Sequence, residues 1–91
     1  MRQSVQFFIF SKKYKQIAEA LMHDVHRGVT YLDAEGGYSE QAFKVITTIA
    51  RQHDSAKIFR IVREIDPEAF VSQSQVRGVF GEGFDRLKDS R

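Results

Sequence analysis

The chain has 91 residues, with 14 Lys+Arg against 12 Asp+Glu, 42% hydrophobic residues, one proline, and no cysteine or tryptophan. A chain this short buries only about two-thirds of the surface its unfolded form exposes, so it builds one modest core, and its apolar content is too high for disorder. Without cysteine there is no disulfide framework, thiolate zinc site or cysteine nucleophile, a reducing compartment is expected, and the net charge of +2 gives little attraction for a polyanion.

Residues 3–10 are aromatic and β-branched, and Ser11, Lys12 and Lys13 end the run, which predicts a strand. Phe7 to Phe10 is the longest apolar run, far short of the roughly 20 residues a membrane helix needs, and polar Gln3, Ser4 and Gln6 argue against a secretory signal. Val5, Phe7 and Ile9 point one way and Phe8 and Phe10 the other, a pattern expected of a central strand covered on both sides. Ser11 stands at an N-cap position, and Tyr14, Ile17, Ala18, Leu21 and Val25 recur at helical spacing, with Gly28 as the predicted stop.

Val29 to Ala34 reads as a second strand, and Glu35 to Ser39 as a turn relying on the backbone freedom of Gly36 and Gly37. In the third strand, Phe43 to Ala50, residues 43, 45, 47 and 49 share one face and residues 46, 48 and 50 the other. Asp54 or Ser55 caps a second helix whose stripe is Ile58, Ile61, Val62 and Ile65, flanked by Phe59, and Pro67 ends it at Asp66. Ala69 to Gln75 is a short fourth strand, residues 76–84 a glycine-punctuated tail against the domain, and residues 85–91 a charged, frayed end.

The predicted fold is thus α+β and ferredoxin-like, β-α-β-β-α-β, within one domain spanning residues 1–84. Right-handed crossovers put both helices on one face of a four-stranded antiparallel sheet, with strands one and three central. The opposite face, apolar along strand one, is expected to be covered by the tail through Val79, Phe80 and Phe84, by self-association, or by both.

Four segments, Phe10–Met22, Arg27–Ser39, Ile65-Asp-Pro-Glu-Ala-Phe-Val71 and Val76-Arg-Gly-Val-Phe-Gly-Glu-Gly-Phe84, together resemble the C-terminal cytosolic domain of YitT-type bacterial membrane proteins, over nearly the whole chain. That resemblance implies a domain of unassigned function with a fold similar to the PII signalling superfamily, placed on the cytoplasmic side of the membrane by a bundle of preceding helices absent from this chain. It implies either a segment of a longer protein or a free-standing relative. Ala34 departs from the pattern, where the family often carries glycine before the Glu-Gly step.

Asp33, Glu35, Gly36, Gly37 and Tyr38 form the most conspicuous constellation, in the connection that meets ligands in PII-like proteins. A tight hairpin also requires Gly, Asp and Ser there, but no turn requires Tyr38. Arg77, Gly78, Gly81 and Gly83 offer a cation and close backbone approach to an anion, although the run opens no helix and fits neither a dinucleotide fingerprint nor a P-loop. A tail folded back onto the sheet accounts for the same residues. His23 and His26 stand at i and i+3, but a metal needs a further ligand, and surface histidines are the simpler reading. No nucleophile or paired-carboxylate pattern is present, so no enzyme, metal or cofactor is expected.

The expectation is a regulatory, ligand-sensing and assembly module, homo-oligomeric as a dimer or trimer, taking a small molecule or nucleotide. A structural oligomerisation domain is the alternative. RNA binding shares the strand order but needs a basic-glycine-aromatic run on strand three, which Phe43 to Ala50 lacks.

Overall fold

The computed structural model of the chain describes residues 3–84 and 86. The elements are β1 (Ser4–Phe10), α1 (Tyr14–Ala20), a π-helical turn (Leu21–Val25), β2 (Val29–Glu35), β3 (Ala42–Arg51), a 3₁₀ turn (Gln52–Asp54), α2 (Ser55–Ile65) and β4 (Phe70–Val76). The sheet order is β2-β3-β1-β4, with every pair antiparallel, so the fold is ferredoxin-like with β1 and β3 in the middle. The predicted charged C-terminus, residues 85–91, falls outside the described residues apart from Arg86.

Alternation along β1 fixes the two faces. Val5, Phe7 and Ile9 lie opposite Ala50, Thr48 and Ile46 of β3, and the apolar members of this set are fully buried with Ile17, Ala18 and Leu21 of the first helix and Ile58 of the second. Phe59 meets the edge of the Phe7 ring at 5.4 Å, so a flanking residue of the α2 stripe also joins the core. Each such side chain contributes about 1.5–3 kcal/mol on burial, which makes this sheet–helix layer the main source of stability.

Apart from one-residue shifts at strand ends, the local structure differs from expectation in three places, each for a local reason. The first helix stops not at Gly28 but at His26, which takes the left-handed conformation at φ 60° after the chain widens into the π-turn. Ser11 does not cap α1, because Lys13 occupies that position; instead the Ser11 hydroxyl accepts the Lys13 N–H at 2.9 Å and donates to Asp66. In the β2–β3 hairpin the positive φ falls on Glu40 and not on Gly36 or Gly37. A Cβ at Gly36 would meet Ser39 Oγ at 2.5 Å and turn that hydroxyl away, and the Gly36 N–H and C=O close the loop onto Gln41 and Glu40.

The face away from the helices carries Phe8 and Phe10 of β1, Phe43, Val45, Thr47 and Ile49 of β3, Leu32 of β2 and Phe70 of β4. The tail closes one end of it. Phe84 places its ring 4.7 Å from the guanidinium of buried Arg51 and 5.0 Å from that of Arg27, held there by a turn from Gly81 to Phe84 with Gly83 at φ 81°. Arg51 donates to Ser4 Oγ at 3.0 Å, while Arg27 and the Arg51 backbone N–H share Asp54 Oδ2. The far end stays open, with Leu32 and Phe43 each 40% exposed and Phe70 65% exposed.

Candidate functional site

The open end of the sheet is where β1 and β2 finish and β3 and β4 begin. A groove of about 1230 Å³ lies there, between the two short helix connections and the arms of the β2–β3 hairpin. Its apolar lining comes from Phe10 and Phe43, whose rings are 6.2 Å apart, and from Tyr14 at the start of α1. Tyr14 is fixed by an edge contact with Tyr31 of β2 at 5.6 Å. The aromatic row continues across the face, because Phe70 pairs with Phe10 in register and meets it at 5.4 Å.

The polar lining is built by pairing. Register places Asp33 opposite Lys44, and the two form an ion pair whose hydrogen bond holds the lysine above its ordinary pKa. Asp66 joins the two helix connections, accepting from the Ser11 hydroxyl and from the Glu68 N–H at 3.0 Å, and these bonds, aided by Lys13, hold its carboxyl below the usual range. Lys13 also reaches the Ile65 carbonyl at 3.3 Å, at the C-terminus of α2. Lys12 completes this rim as an exposed cation.

The residues singled out by sequence divide between the two ends of the sheet. Asp33 lines the groove, Glu35 ends β2, and Gly36, Gly37 and Tyr38 form the hairpin beyond it, with the Tyr38 side chain fully exposed. Arg77, Gly78, Gly81 and Gly83 follow Val76, which pairs with Ser4 at the opposite end. Within one chain the two halves of the expected ligand site therefore do not meet, and joining them takes a second copy. His23 is exposed in the π-helical turn, with its Nδ1 3.0 Å from Asp24, whose carboxyl it lowers. Among the described residues no three His, Cys, Asp or Glu side chains gather into a metal site.

Sequence reasoning passed over Phe10, Phe43, Tyr14, Lys44 and Asp66 as parts of a site. The available signal was that aromatic residues end β1 and begin β3 on the uncovered face, beside the turn-forming Ser11-Lys12-Lys13 and Asp66-Pro67 steps.

Residues 27–81 match the family described as uncharacterized protein conserved in bacteria (DUF2179). An uncharacterized protein in the cccA 5′ region of Bacillus sp. (strain PS3) is 38% identical over 86% of this chain, and the UPF0750 membrane protein YvjA of Bacillus subtilis is 33% identical over 92%. The chain spans 52% of the first and 30% of the second, so its curated relatives are longer proteins. YitT of Bacillus subtilis, also a UPF0750 membrane protein, is 30% identical over 80% of this chain. Among the described residues no helix is long and apolar enough to cross a membrane. The crystal structure of a DUF2179 protein from Eubacterium ventriosum superposes with a TM-score of 0.71 at 33% identity, covering 79% of this chain and 99% of that one. The divalent cation tolerance protein CutA1 of Thermus thermophilus, at 15% identity and a TM-score of 0.52, covers 90% of this chain and 88% of that one and shows the fold alone. The chain therefore belongs to the DUF2179 family, as a domain of the kind found in YitT-type membrane proteins.

Proposed function

We propose that the domain is a non-enzymatic sensing and assembly module that binds a small molecule in the groove at the base of the β2–β3 hairpin and self-associates through its sheet. In longer relatives it would act on the cytoplasmic side of the membrane. The observation that carries this reading is the groove itself, lined by the rings of Phe10, Phe43 and Tyr14 together with Lys12 and the Asp33–Lys44 pair. Such a lining suits a planar ligand with polar or anionic substituents, a description nucleotides meet. The Phe43–Phe10–Phe70 row also invites comparison with sheets that stack RNA bases. Against that second reading, Arg51 is the one cation among the strand residues of this face, and Phe84 caps it.

The test is native mass spectrometry of protein purified from cells, followed by thermal shift with a nucleotide panel. A bound ligand at 100 times its Kd adds about 2.7 kcal/mol of stability. Phe43→Ala and Lys12→Ala weaken that shift while His23→Ala leaves it unchanged. A ligand whose binding depends on His23 and ignores Phe43 puts the site elsewhere, and tight binding of single-stranded RNA would favour the second reading.

A further inference from the structure

β4 is an edge strand, so among the described residues no strand lies beside the N–H and C=O groups of alternate residues along its outer side. Over seven residues that is about six to eight backbone groups. Folded proteins usually protect such an edge with a charge, a proline, a bulge or brevity. β4 has none of these: Phe70-Val-Ser-Gln-Ser-Gln-Val76 is uncharged, contains neither proline nor glycine, and pairs with β1 without interruption from Phe10↔Phe70 to Ser4↔Val76. The other edge, β2, carries Asp33 and Glu35.

The sequence of β4 is also complementary to itself. Ser72-Gln73-Ser74 reads the same in both directions, and the strand ends in apolar residues on both sides. If two copies pair antiparallel about Gln73, Ser72 of one faces Ser74 of the other, and Phe70 of one faces Val76 of the other. Phe70, Ser72, Ser74 and Val76 all lie on the open face, so this register joins the two sheets into eight strands with one continuous open face. Phe70, the most exposed member of the aromatic row, then gains an apolar cross-strand neighbour. On the helix side Gln73 is held by a 3.3 Å bond from its Nε2 to Ser55 Oγ, which keeps the central residue ordered without using its outer backbone.

We propose that β4 is the contact strand of a two-fold homodimer, formed by antiparallel β4–β4 pairing centred on Gln73. This rests on the assembly half of the proposed function and specifies its geometry; it is independent of the ligand groove. The pairing juxtaposes residues 72 and 74 across the dyad, so charge pattern reports on it. The full chain, Ser72→Lys/Ser74→Lys and Ser72→Asp/Ser74→Lys are compared by sedimentation over micromolar concentrations, with circular dichroism to verify folding. The lysine double variant places like charges opposite each other twice and weakens the dimer about tenfold or more, whereas the mixed variant places opposite charges together and keeps it. Dissociation of both variants points to face-to-face stacking and overturns the edge contact, as does dimerisation of both without difference. A wild-type monomer throughout overturns the edge contact together with the assembly reading, while leaving the ligand reading to its own measurement.

Discussion

Asp66 illustrates how single residues set the open end of the molecule. The residue precedes Pro67, so it ends α2, and the same carboxylate then takes the Ser11 hydroxyl and the Glu68 N–H, tying the α2–β4 connection to the β1–α1 connection. Because folding lowers this carboxyl, its stabilising effect is present above the ordinary carboxylate range and is lost as pH falls through the lowered value. Ser11→Ala removes the first cause of the lowering. The expected outcome is an Asp66 titration, followed by NMR, that moves up toward the ordinary range, with a stability deficit at neutral pH that disappears in acid. An unchanged titration would mean that the Glu68 N–H and Lys13 suffice.

At the scale of elements, the first helix is where local pattern and structure part. Its apolar stripe was legible as far as Val25, and all of Ile17, Ala18, Leu21 and Val25 are buried. The stop was not, because the chain spends five residues in a π-turn and then reverses at His26 with φ 60° and ψ 41°. A side chain there bears the cost of the left-handed region, about 1–2 kcal/mol. His26→Gly relieves that cost, less the extra entropy that glycine loses on folding, and is expected to stabilise the domain by about 0.5–1 kcal/mol, several degrees in Tm. Calorimetry checks it. A fall in Tm would show that the exposed imidazole makes a contribution larger than the strain.

At the scale of the whole molecule, the open face is the alternative to the β4 edge as a contact between copies. Phe84 and the two arginines close one end, while at the other Leu32, Phe43 and Phe70 are exposed around half-buried Phe10 and buried Val45. Phe7 faces the helices and Phe8 the open side, so Phe8→Glu is the change that disrupts association through the face, whereas Phe7→Ala costs about 3–5 kcal/mol of folding stability instead. Leu32→Glu, on an exposed position of β2, tests the same face without touching the core. Both glutamate variants are expected to sediment like the wild type at equal concentration, because neither residue lies on β4. Smaller species for both would move the contact from the β4 edge to the open face.

What the sequence determined by itself is the set of elements and the inner faces of the helices. The three-four spacing of Ile58, Ile61, Val62 and Ile65 encodes which side of α2 is buried, because removing apolar area from water is the strongest force driving the chain to fold, whereas β1, apolar on both sides, left open whether Phe7 or Phe8 faces the helices. The β-α-β-β-α-β order then restricts the topology to one right-handed solution. The candidate site was only half legible. Asp33, Glu35 and Tyr38 announce a hairpin, but the groove beneath it is assembled from Phe10, Tyr14, Lys44 and Asp66, which are up to 56 residues apart and meet only through register. Likewise, antiparallel pairing of β4 with β1 carries the glycine tail to the end of the sheet opposite the hairpin, so only a second copy's tail can meet it. Strand direction and register are long-range choices, settled by which faces of distant segments bury each other, and no local spacing records them.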